Sequence, residues 1–156
     1  MTEVLFYHLQ ARPLEAVLPG LLGRCLERGW RAVVQAGSAD RLRMLDDHLW
    51  TFDDASFLPH GRSGDGFAAE QPIVLTESDD NPNDASVRFL VDRAAPPDFA
   101  AGAAAYHRLV FVFDGQDGDA LAEARAAWKA AAAAGHDVQY WRQGERGRWE
   151  RQDDRQ

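Results

Sequence analysis

The sequence predicts a single three-layer α/β domain, with a mostly parallel central sheet flanked by helices. Three observations carry that prediction. The chain opens strand, helix, strand, helix, and short helical connections between strands imply right-handed parallel crossovers with helices on the sheet faces. The apolar runs at Val4–Tyr7 and Leu109–Phe113 are continuous, as strands covered on both faces require. At 156 residues, 46% hydrophobic and 27% charged, the chain suits one ordinary core. Residues 1–142 are expected to form the domain and 143–156 a polar tail with little to hold it in place.

Glu3 to Leu9 reads as the first strand. In the helix that follows, Leu14, Val17, Leu18, Leu21, Leu22, Cys25 and Leu26 recur at intervals of three and four, with Gly29 just past the end. Pro19 interrupts that stripe, so a kink or restart is expected there. Trp30 to Gln35 is a second strand, and Ser38 caps a helix carrying Leu42, Leu45 and Leu49 on one face. Phe57-Leu58 is a candidate third strand and Pro72 to Thr76 a fourth. Asn81-Pro82-Asn83 is a turn.

Val87 to Asp92 favours a strand by its β-branched and aromatic content. Ala100 to Ala105 reads as a short helix or helical turn. His107 to Phe113 is the strongest strand and belongs at the centre of the sheet. Asp119 to Ala134 is rich in helix formers, with acidic residues in its first turn and Gly135 at C′. Leu121, Ala124, Trp128 and Ala131 are its sheet-facing candidates. Val138 to Trp141 closes the sheet as an edge strand.

A formal charge of −8 argues against a protein whose main task is to grip phosphate backbones, although the distribution of charge matters more than its sum. Nucleic acid is therefore expected to be met only indirectly. Cys25, the single cysteine, excludes an intrachain disulfide and a cysteine-rich metal site, and its leucine neighbours suggest a buried role. No apolar run of about 18 residues and no leader pattern is visible, so a cytoplasmic location is expected, with no membrane partner.

Tests for chemistry mostly fail. Gly61-Arg62-Ser63-Gly64-Asp65-Gly66 is glycine-rich but lacks the Lys-Ser/Thr of a phosphate loop and does not join a first strand to a helix. His8, His48, His60, His107 and His136 are scattered, with no pair at helical metal-ligand spacing. No Gly-x-Ser-x-Gly elbow follows a strand. The acidic pairs at 46–47, 53–54, 79–80 and 153–154 fit solvated loops and helix caps better than a divalent ion. No catalytic residue, metal or cofactor is assigned.

One constellation survives. Arg125, Trp128 and Lys129 fall at i, i+3 and i+4, so a helix gathers two cations and an indole on one face. A guanidinium forks a carboxylate, an ammonium attracts an acidic stretch, and an aromatic wall receives an apolar terminus. The plain alternative is a core Trp with solvated flanks. Trp50 and Phe57, on either side of Asp53, Asp54 and Ser56, are similarly either core plugs or partner anchors.

Several segments carry a resemblance. Leu45-Asp46-Asp47-His48-Leu49-Trp50 and Ser56-Phe57-Leu58-Pro59-His60, with Gly29-Trp30-Arg31-Ala32-Val33-Val34 before them and Ala124-Arg125-Ala126-Ala127-Trp128-Lys129 after, are similar to the chi subunits of bacterial DNA polymerase III. That resemblance implies a Rossmann-like domain without a nucleotide motif and without catalysis, joining the clamp loader to single-stranded DNA-binding protein. Arg125, Trp128 and Lys129 match the helix that takes the acidic tail of that protein, which ends in Pro-Phe. A further basic family position aligns with Leu121, implying fewer charges and a weaker salt dependence here. Trp50 and Phe57 match the surface that meets the psi subunit or a helicase-like protein. Two other readings stand beside it: a small nucleotide-dependent or hydrolytic α/β enzyme built on Asp53, Asp54, His60 and the glycine loop, and a helicase-partner adaptor acting through Trp50 and Phe57.

Overall fold

The computed structural model describes residues 2–10, 12–51, 59–100, 102–144 and 148–152. One eight-stranded sheet runs through them, formed by β1 (Glu3–Leu9), β2 (Ala32–Gln35), β3 (His60–Arg62), β4 (Ile73–Thr76), β5 (Val87–Leu90), β6 (Arg108–Asp114), β7 (Asp137–Gln143) and β8 (Trp149–Gln152). The order is β3-β4-β2-β5-β6-β1-β7-β8, parallel throughout except for the antiparallel β7–β8 pair. Helices α1 (Leu14–Glu27), α2 (Ala39–Thr51) and α3 (Gly118–Ala133) complete the layers.

The alternation of strand side chains builds two cores. Leu5, Leu9, Val34, Phe89, Val110 and Val112 point toward the leucine stripes of α1 and α2. Val4, Phe6, Val33, Phe111 and Phe113 point the other way, against α3. Leu18 and Leu22 of α1 are fully buried, each contributing about 1.5–3 kcal/mol of apolar burial. On the α3 side the large groups come from the strands, and the helix answers with a stripe of buried alanines at 120, 124, 127 and 131. Leu121 and Trp128, expected on that stripe, lie half-buried at its flank.

The strands expected at 3–9, 72–76, 87–92 and 107–113 form over 3–9, 73–76, 87–90 and 108–114, and β6 is central as expected. Ser38 accepts a hydrogen bond from the Arg41 amide (3.2 Å), and Gly29 and Gly135 take positive φ (74° and 87°) just past their helices, as those C-terminal positions require. Two expectations change, and a third falls outside the described residues. Of the kink or restart expected at Pro19, the restart does not occur, since α1 is continuous around a buried proline. The third strand is His60–Arg62, whereas Phe57-Leu58 lies outside the described residues. The region taken as a loose tail contributes Gln143, fully buried at the end of β7, and the whole of β8, so β7 is not the edge. Trp149 anchors that extra strand by packing its indole on Tyr7, with ring centroids 4.7 Å apart.

Candidate functional site

Strand order fixes where such a sheet can work. From the adjacent strands β1 and β6 the chain leaves in opposite directions, through α1 and α3, which makes their C-terminal ends the topological switch point where α/β proteins open a crevice. A cleft of about 520 Å³ lies there, lined by Gln10, Arg12, Glu15, Arg41, Asp114 and Asp117 among others. Its charges are mostly committed to one another. Arg41 bridges Glu15 (2.8 Å) and Asp92 (3.0 Å), tying α1, α2 and the end of β5 together. Asp117 caps α3 by accepting from the amides of Asp119 (3.0 Å) and Ala120 (3.3 Å). The amides that would greet a phosphate in a nucleotide-binding relative are therefore already filled by a carboxylate. The glycine-rich 61–66 segment sits instead at the far edge, as the end of β3 and the turn after it.

The cation–indole constellation runs from the middle of α3 into its C-terminal half. Arg125 and Lys129 are exposed, and Trp128 between them is half-buried on Phe6 (5.7 Å between ring centroids) and Tyr140 (5.8 Å). Sequence reasoning missed three neighbours that the sheet supplies. Tyr140 and Arg142 alternate onto this face of β7, and His8 reaches it from β1, with Nδ1 2.7 Å from the Tyr140 hydroxyl. Burial pushes the Tyr140 hydroxyl pKa up, against the pull of the guanidinium groups of Arg142 and Arg125. Burial likewise holds His8 below the ordinary histidine pKa, helped by Arg142. The period-two pattern of 137–143 is the signal that pairs Tyr140 with Arg142.

Trp50 stands at the end of α2 with 53% of its surface exposed. Its ring lies on the imidazole of His60, 4.4 Å between centroids, and His60 Nε2 is 3.1 Å from Asp46 Oδ1. The exposure of Trp50 sets aside its core-plug reading. Met44 and Phe67 are the other exposed large apolar side chains among the described residues. Phe57, with Asp53 and Asp54 of the enzyme alternative, falls outside them, and His60 of that alternative is buried beneath Trp50. Among the described residues, no group of three His, Cys, Asp or Glu side chains is placed to hold a metal, and no helix is long and apolar enough to cross a membrane.

Fold and surfaces together define a doubly wound α/β domain whose switch-point cleft is lined by charges largely committed to its own ion pairs and helix cap. Residues 1–139 match the family described as DNA polymerase III chi subunit, HolC, and the chain belongs to that family of accessory replication subunits. The protein of Rickettsia prowazekii (strain Madrid E) named "Probable DNA polymerase III subunit chi" is 30% identical over 100 residues. That stretch covers 64% of this chain and 59% of the relative's length.

Proposed function

We propose that the chain is a non-catalytic adaptor, acting in the cytoplasm, that holds the acidic C-terminal tail of single-stranded DNA-binding protein on the α3–β7 surface. The observation that carries this reading is the exposure of Arg125 and Lys129 on either side of an indole whose own edge is anchored by Phe6 and Tyr140. A rigid aromatic wall between two free-ended cations suits a carboxylate-terminated apolar residue, and Arg142 adds a third positive charge alongside. Trp50, with Phe57, is the proposed contact for the psi subunit of the clamp loader or a helicase-like protein. It sits on α2, which packs against β4, whereas α3 packs against β6, β7 and β1 from the other face. Two partners can then bind at once, and tethering raises the effective concentration of each at the fork.

Titration with a short acidic peptide ending in Pro-Phe, followed by Trp fluorescence at two salt concentrations, tests the tail site. Saturable, salt-sensitive binding is expected, lost when the terminal Phe is removed and weakened about tenfold or more by Arg125→Ala. Binding unchanged in Arg125→Ala and Trp128→Phe removes the assignment.

A further inference from the structure

The face of the sheet opposite Tyr140 carries a second surface of different composition. Tyr7 of β1, Trp141 of β7 and Trp149 of β8 alternate onto the α1 side, all three partly exposed, with Tyr7 4.7 Å from Trp149 and 6.5 Å from Trp141 between centroids. Arg151 is the cross-strand partner of Trp141 and so shares its face. Arg24 and Arg28, one turn apart on α1, are exposed beside this floor. Trp30 continues the row, with the guanidinium of Arg28 4.9 Å and that of Arg108 5.0 Å from its ring centre. A pocket of about 90 Å³ opens among Tyr7, Arg24, Arg28, Trp30 and Arg108.

The charge balance here runs against that of the chain. Glu3 is held by Arg108 at 2.7 Å, and among the described residues Glu27 on α1 and Asp137, the β7 register partner of Glu3, are the other carboxylates on this side. Arg24, Arg28 and Arg151 make no ion pair among the described residues. Arginines gathered round aromatic rings without carboxylate partners are stabilised by an incoming polyanion. An acidic peptide would use the cations and leave most of the rings idle. A nucleic acid strand offers a flat base for each phosphate, which matches aromatic faces interleaved with guanidinium groups.

We infer that the Tyr7–Trp30–Trp141–Trp149 face, rimmed by Arg24, Arg28, Arg108 and Arg151, is a weak binding surface for single-stranded DNA. The strand lies across β1 and β7 with bases on the rings and phosphates on the arginines. The formal charge of −8 keeps the contact weak and strongly salt-dependent. It revises the expectation that this protein meets nucleic acid only through a partner, and it stands independently of the tail site on the other side of β7.

Fluorescence anisotropy of labelled oligothymidylate with the full chain at low salt provides the test. Saturable binding is expected, weakened about tenfold by Arg24→Glu combined with Arg28→Glu, with the slope of log affinity against log salt reduced by about 1.4 for two lost phosphate contacts. Arg43→Glu, an equal charge change per site on exposed α2 surface, leaves binding within about twofold if the contact is local. An abasic sugar–phosphate strand of equal length should bind at least about fivefold more weakly, because stacking is lost. The inference fails if oligothymidylate does not bind, if the double variant binds like the parent, or if the abasic strand binds equally well. It also fails if only an acidic peptide, and no oligonucleotide, occupies this face.

Discussion

His48 donates from Nε2 to the main-chain carbonyl of Glu15 at 2.6 Å, and that carbonyl is the one Pro19 leaves without its helical partner. In an uninterrupted helix the amide of residue 19 would bond the carbonyl of residue 15. Pro19 has no N–H, so a side chain from the neighbouring helix supplies the donor and α1 continues. The imidazole thus joins α1 to α2 through a backbone gap.

Replacing His48 by Ala leaves the Glu15 carbonyl partnerless and is expected to cost about 1–3 kcal/mol. In a Pro19→Ala background, where the helix can make its own bond, the same replacement should cost clearly less. Urea unfolding of the four proteins measures the difference. Equal costs in both backgrounds would disconnect the two residues.

Arg88 is the largest fully buried side chain, and its guanidinium spends every N–H. Nη2 donates to the Ser78 carbonyl (2.6 Å) and Gln35 Oε1 (2.7 Å), Nη1 to the Asp80 carbonyl (2.8 Å) and the Tyr106 hydroxyl (3.1 Å), and Nε again to Gln35 (3.2 Å). Arg88→Met should therefore cost about 3 kcal/mol or more, since the buried Gln35 and Tyr106 oxygens and two loop carbonyls lose their donor together. Amide exchange in 77–84 should accelerate, because those carbonyls hold that loop down. A near-neutral change in unfolding free energy would contradict this network.

His8 makes stability depend on pH in a defined direction. Its folded pKa lies below the ordinary value, first through burial and then through Arg142, so the unfolded chain binds the proton more readily. Stability is fully present above the unfolded pKa of about 6.5 and falls as pH drops through it toward the lower folded value. The parent should lose more melting temperature between about pH 7 and pH 5 than His8→Gln does. Parallel pH profiles would place the titration elsewhere. Gly115 belongs to the same site, since a Cβ there would lie 1.8 Å from His8 Nε2, and Gly115→Ala is expected to destabilise by about 1–3 kcal/mol.

Cys25 is buried under α1, where desolvation pushes its thiol pKa up to about 11. At neutral pH the reactive thiolate is on the order of one molecule in ten thousand. A thiol-specific chromogenic reagent should modify the native protein only at the rate of unfolding, and the denatured protein at once. Rapid native labelling would show the helix to be open at this position.

The fold was legible where hydrophobic pattern and tertiary burial agree. The leucine stripes of α1 and α2 and the apolar blocks of β1 and β6 read directly, because a face buried in the core must be apolar along its length. β8 was not legible, since Trp149-Glu150-Arg151-Gln152 is polar by composition and gains its place only from pairing with β7 and from Trp149 on Tyr7. That α1 runs on through Pro19 was not legible for a similar reason: the compensating donor lies far away in sequence, at His48. Of the tail-site candidates, Arg125, Trp128 and Lys129 share a helix and could be grouped by spacing, whereas His8, Tyr140 and Arg142 join them only through strand register. No periodicity within one segment reports a contact between β1, β7 and α3.

The antiparallel strand at the end of the sheet has a consequence for how copies of this protein meet. A free β7 would offer a seven-residue row of backbone donors and acceptors, flanked by Tyr140 and Trp141, to any passing chain. β8 takes up the 140–143 part of that row and presents a four-residue rim bearing exposed Glu150 and Arg151, while on the other side the described sheet ends in the three-residue β3 with Gly61 at its centre. Among the described residues both borders are short and polar, which disfavours templated pairing between crowded copies and growth of the sheet into a fibre.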